Sequence, residues 1–84
     1  MDKLYISLID KEALLTPHVY ERMLERGITL EELVEMLESK DSMAVMQKNF
    51  RIKVTNGNIS AILQLSGSVL YIITVFRENK KKAH

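Results

Sequence analysis

Cysteine and tryptophan are absent from this sequence, and 84 residues hold one proline and three glycines. Without cysteine there is neither a disulfide framework nor a thiolate metal site, and the lack suits a reducing compartment. No repeat, linker or low-complexity segment interrupts the chain before its end. The expectation is one domain over 1–78 and a basic tail, 79–84, that is disordered. No apolar run approaches the ~18 residues of a membrane span. Charges at Asp2, Lys3, Asp10, Lys11 and Glu12 interrupt the N-terminus too often for a secretion signal. A Gly-rich phosphate loop, a carboxylate dyad and His/Asp metal spacing are all missing, so neither metal nor cofactor is expected. The reading is a small cytoplasmic protein with no membrane association.

What is present is enough apolar material for one core, 46% of residues, and an uneven charge distribution under a net charge of +1. Residues 1–42 carry five basic and ten acidic residues, whereas 43–84 carry seven basic residues and Glu78 alone. A basic half of this kind, with Lys48, Arg51, Lys53 and Arg77, can meet a polyanion such as RNA. An acidic helical layer facing a basic sheet would account for the same asymmetry.

The periodicity divides the chain into helices followed by strands. Thr16 as N-cap, Pro17 in the first turn and Gly27 as the stop predict a helix over 17–26. Thr29 and Glu32 form a T-x-x-E capping box, and Leu30, Leu33, Val34 and Leu37 follow an i, i+3, i+4, i+7 stripe, predicting a second helix over 30–39. From residue 43 the period becomes two, predicting antiparallel strands near 43–55, 58–65 and 69–76. Asn56-Gly57 is a two-residue hairpin signal. It pairs Val54 with Ile59, Ile52 with Ala61 and Phe50 with Leu63, leaving Arg51, Lys53, Ser60, Ile62 and Gln64 on the other face. The next turn, at 66–68, admits two registers. Counted as three residues it sets Ser60 opposite Thr74 and turns Tyr71, Ile73 and Val75 to the core; counted as two it sends Thr74 to the core instead. The three-residue register gives the more comfortable core. Residues 3–9 fit a strand or a helical turn, with the strand favoured. The fold class is α+β, a helical hairpin packed on a small antiparallel sheet.

His18, Arg22 and Arg26 recur every fourth residue and so form one row on the first helix. Together with Arg51, Lys53 and Thr74 they make up the parts for cutting RNA without a metal. A base takes the proton of a ribose 2′-OH, an acid protonates the leaving 5′-oxygen, and guanidinium groups stabilise the charge forming on phosphorus. His18 would be the acid or base, Arg22, Arg26 and Arg51 the phosphate donors, and Thr74 the group that orients phosphate or ribose. Against this stands an ordinary solvated helix face, because Glu21 and Glu25 lie at i, i+3 from His18 and Arg22.

The stretch "LTPHVYERMLERGITLEEL", with "YIITVFRE" near the end, resembles a family of small bacterial and phage proteins known only as a domain of unknown function. The shared pattern is an H-x-x-x-R-x-x-x-R-G-I-[S/T] helix motif, here His18, Arg22, Arg26, Gly27, Ile28 and Thr29 preceded by Thr16. A strand ending in a T-V-[F/Y] triplet, here Thr74, Val75 and Phe76, completes it. The resemblance covers roughly residues 14 to 78. It implies a distant relation to RelE- and BrnT-like toxins, in which helices pack on an antiparallel sheet and basic residues cleave RNA. A toxin-type ribonuclease with a cognate antitoxin is then one expectation. The others are a catalytically inert phage or mobile-element regulator binding a protein or nucleic acid, and a homodimer formed through the sheet edge.

Overall fold

The structure, a computed structural model, describes residues 2–78; the basic tail 79–84, with its lysines and His84, lies outside the described residues. The elements in chain order are β1 (Lys3–Ile6), β2 (Lys11–Leu15), α1 (Pro17–Arg26), α2 (Leu30–Glu38), β3 (Met43–Gln47), β4 (Arg51–Thr55), β5 (Ile59–Ser66) and β6 (Val69–Arg77). The six strands form a single sheet in the order β1-β2-β6-β5-β4-β3. The class is α+β, as the periodicity predicts. The sheet is mixed rather than antiparallel, because β2 runs parallel to β6 through Ala13↔Leu70 and Leu15↔Ile72. Among the described residues no helix is long and apolar enough to cross a membrane.

Local chemistry fixes the end of α1 and the start of α2. Gly27 takes φ 65° and closes α1 with Gly27 N–H to the Leu24 carbonyl and Ile28 N–H to that of Met23. These are the two bonds of a Schellman cap. Thr29 and Glu32 exchange both bonds of the capping box at 3.1 Å. Thr16 occupies the N-cap position of α1 but does not cap it; its hydroxyl donates to the carbonyl of Ile72 and so fastens the β2–α1 junction to β6.

The strands depart from expectation in four places. Residues 3–9 form the strand β1 only as far as Ile6, followed by a turn with Asp10 at φ 52° and then by β2, which the charged start Lys11-Glu12 conceals. The span 43–55 is two strands, because Asn49 and Phe50 adopt left-handed φ of 62° and 60° and reverse the chain. The Phe50 side chain is exposed, its carbonyl accepts from the Leu65 N–H at 3.0 Å, and Ile52 stands opposite Leu63.

The β4–β5 register is displaced by two residues, with Thr55↔Ser60 and Val54↔Ala61 in place of Val54↔Ile59. The Asn56 side chain accepts from the backbone N–H of Asn58 at 2.8 Å and of Ile59 at 2.9 Å, and Asn56 N–H donates to the Ile59 carbonyl at 3.3 Å. The turn therefore closes on Asn56 and Ile59, with Gly57-Asn58 at its tip in place of Asn56-Gly57. Displacement by two preserves every face, so the division into core and opposite sides stands.

The turn after β5 has two residues, with Ser66↔Val69, and β6 carries an extra residue at Ile73 between Leu63↔Ile72 and Ile62↔Thr74. This bulge corrects the three-residue expectation. Leu70, Ile72 and Val75 face the core, while Tyr71 and Ile73 are half-buried and Ser60 lies opposite Phe76. The bulge restores the parity that the shorter turn would have changed. Thr74 consequently sits opposite Ile62, on the face of Lys53.

The core joins Val19, Met23, Leu33, Met36 and Leu37 of the helices to Val54, Ile59, Ala61, Leu63, Ile72 and Val75 of the sheet. Ile6 and Leu15 extend it under β1 and β2. The buried stripes are narrower than the apolar ones in the sequence. Val34 is only half-buried, while Tyr20, Leu24 and Leu30 are exposed, Leu24 at 85%.

Candidate nucleic-acid site

The motif row lies on α1, and its three members meet different partners. His18 is 59% exposed, with Nδ1 3.9 Å from Oε1 of Glu21. Arg22 donates to Glu25 at 3.2 Å. Arg26 reaches the sheet: its Nη1 donates to the Val75 carbonyl at 2.8 Å and to the Thr74 hydroxyl at 3.4 Å. That contact is possible because β2 pairs with β6 only as far as Ile72, so the strand beyond has no neighbour on that side. The structure thus brings Arg26 together with Thr74, and it gives His18 and Arg22 acidic neighbours one helical turn away.

The remaining basic residues divide between two locations. Arg51 and Lys53 share a sheet face with Ile62, Gln64 and Thr74, as the cross-strand pairs Arg51↔Gln64 and Lys53↔Ile62 require. Arg51 Nε donates to Gln64 Oε1 at 2.9 Å. Lys53 Nζ is 3.0 Å from Glu78 and 5.7 Å from the centroid of the Phe76 ring. Lys48 stands exposed in the β3–β4 turn. Arg77 is turned the other way: it donates to the Gly27 carbonyl at 2.6 Å and to Glu32 at 3.1 Å, tying the end of β6 to the α1–α2 link. The Glu32 carboxyl is held below its ordinary range, first by the Thr29 backbone N–H and then by Arg77.

Sequence reasoning missed the pairing of Arg77 with Glu32 and of Lys53 with Glu78. Glu78 bonds the buried Ser60 hydroxyl as well as Lys53. Only a known register could have revealed that contact, since Ser60 and Glu78 belong to different strands' ends. Glu21 and Glu25 were legible as i, i+3 neighbours. Among the described residues no group of three or more His, Cys, Asp or Glu side chains is arranged to hold a metal. Chemically, the Arg26–Thr74 corner can donate to an anion, and His18 with Glu21 can carry protons.

No protein-family model matches the chain, and neither does any curated protein or any solved structure.

Proposed function

We propose that the protein is a metal-independent ribonuclease of toxin type, binding an RNA phosphate where α1 meets the open edge of β6. The observation that carries this reading is the meeting of Arg26 with Thr74, 48 positions apart, on the helical row that also holds His18 and Arg22. A guanidinium has five N–H donors, so the bonds Arg26 makes to β6 leave others for phosphate oxygens. The acidic neighbours of His18 and Arg22 are no obstacle. Exposed pairs are worth ~0–1 kcal/mol, and the monoanionic phosphodiester of RNA can displace Glu21 or Glu25. In the reaction a base removes the 2′-OH proton and the 2′-oxygen attacks phosphorus. The 5′-oxygen then leaves with a proton from an acid, giving a 2′,3′-cyclic phosphate and a 5′-hydroxyl. His18 lies eight residues from Arg26, ~12 Å along the helix. It therefore serves as one of the two proton carriers at a phosphate further along the strand than the one Arg26 holds, and Glu21 beside it is suited to be the other.

The second reading is a catalytically inert regulator that binds a protein or nucleic-acid partner. It is favoured by the same two pairs, since a row answered by Glu21 and Glu25 is also what a solvated face looks like. Purified protein incubated with a panel of RNAs in chelator separates the two. The ribonuclease reading expects cleavage leaving cyclic-phosphate ends, and a loss of ~10²–10⁴-fold in His18→Ala with an unchanged melting curve. Cleavage by His18→Ala at the unsubstituted rate removes His18 from the mechanism. No cleavage of any RNA by the unsubstituted protein gives the second reading precedence.

A further inference from the structure

The sheet ends on one side in β1 and on the other in β3, and the two edges are built differently. β1 begins with Lys3, lies against α2, and is held at its end by Ser7 N–H donating to the Leu37 carbonyl. β3, the sequence Met43-Ala44-Val45-Met46-Gln47, has no charge, no proline and no bulge against β4, whose five pairs run unbroken from Met43↔Thr55 to Gln47↔Arg51. All five residues are exposed, with Met43 at 63% and Met46 at 73%. The apolar side chains occupy both faces, Met43 and Val45 on one, Ala44 and Met46 on the other. Edge strands carry unpaired backbone N–H and C=O groups, and chains that stay monomeric guard them with charge, proline or a bulge. β3 has none of these devices.

We infer that β3 is a homodimer edge, pairing antiparallel with β3 of a second copy about a twofold axis through Val45. This inference is independent of the ribonuclease reading. Centring the pair on Val45 is the one register that matches all five residues of each strand. It sets Val45 against Val45, Met43 against Gln47, and the large Met46 against the small Ala44, the last two twice over by symmetry. Faces are preserved, because each residue meets one of the same parity. The charges flanking the strand are also complementary. The end before β3 carries Lys40 and Asp41 and the end after it Lys48. The register centred on Val45 sets Asp41 opposite Asn49 and Lys48 opposite Ser42, so Asp41 of one copy and Lys48 of the other are diagonal neighbours. A strand of a different protein would need no such self-matching, whereas a second copy does. The product is a continuous sheet of twelve strands with both β3 edges closed.

Sedimentation velocity and light scattering on the full chain, across roughly 10 µM to 1 mM, test this, since a small interface associates weakly. A dimer is expected within that range. Val45→Lys, which would put two lysines face to face at the axis, should return a monomer with unchanged circular dichroism, because Val45 is outside the core. Asp41→Lys should weaken the dimer, and Asp41→Lys combined with Lys48→Asp should restore it. The lack of native cysteine gives a second readout. Val45→Cys should cross-link to a covalent dimer on oxidation, and Leu24→Cys, exposed but off the edge, should not. A chain that stays monomeric throughout, a dimer indifferent to Val45→Lys, or equal cross-linking from both cysteines overturns the inference.

Discussion

Gly27 illustrates how much a single residue can settle. A Cβ built at this position meets nothing within 4 Å, so no steric neighbour demands glycine. The demand is conformational: at φ 65° an L-residue carries a penalty of ~1–2 kcal/mol that glycine escapes. Gly27→Ala should lower stability by about that much in urea unfolding, without altering the core. A loss near zero would mean that the Schellman cap relaxes freely. Asn56 acts in the same local way, with its side-chain oxygen taking two backbone N–H groups and so moving the tip of the turn to Gly57-Asn58. The dipeptide Asn-Gly favours a two-residue hairpin on average, but an asparagine that can form an Asx-type turn competes with it.

At the scale of elements, α2 shows how an apolar stripe overstates what a helix buries. Leu30, Leu33, Val34 and Leu37 share the stripe, but only Leu33 and Leu37 are fully buried, and Met36 joins them from its margin. The reason is where α2 rests: it contacts the sheet at β1 and β4, which cover Leu33, Met36 and Leu37 and leave Leu30 exposed and Val34 half-buried. Leu33→Ala should therefore cost ~2–5 kcal/mol, as deletion of a fully buried side chain does. Leu30→Ala should cost under about half a kcal/mol, the range of ordinary surface changes. Chemical denaturation of both variants checks this, and equal losses would show that α2 is rotated from the described position. In β6, likewise, one bulged residue decides which of two alternating sets faces inward. Alternation alone could not choose, because "VLYIITVF" is apolar at both parities.

For the molecule as a whole, the two charge halves are joined mainly where they meet. Glu32 of α2 and Arg77 of β6 are 45 positions apart, and their contact links the helical hairpin to the sheet. The folded state holds the Glu32 carboxyl below its ordinary value of 4.5, chiefly through the Thr29 N–H and then Arg77. A depressed acid stabilises the fold above its unfolded pKa, and that contribution disappears as pH falls through the folded value. The melting temperature of the protein should therefore exceed that of Glu32→Gln near neutral pH, with the gap closing as pH is lowered through 4.5 and beneath it. A gap independent of pH would assign the effect to hydrogen bonding alone. Internal complementarity of this kind and attraction of a polyanion are not exclusive: Arg77 and Lys53 are engaged by Glu32 and Glu78, whereas Lys48 is exposed in the β3–β4 turn and Arg26 meets a neutral hydroxyl and carbonyl of β6.

The sequence by itself determined what depends on neighbours a few residues away. Both helices, the capping box at Thr29, the stop at Gly27, and the inward and outward faces of β4 and β5 follow from spacing and backbone preference, which act within one or two turns. Tertiary structure decided everything that requires two distant segments to choose each other. The parallel pairing of β2 with β6 and the bulge at Ile73 are of this kind, because several registers satisfy the same alternation and only the packed core distinguishes them. The candidate site divides along the same line. The row His18, Arg22 and Arg26 is a helical period, readable in one dimension. That Arg26 meets Thr74, while Arg77 turns away to Glu32, depends on where β2 stops and leaves the edge of β6 open.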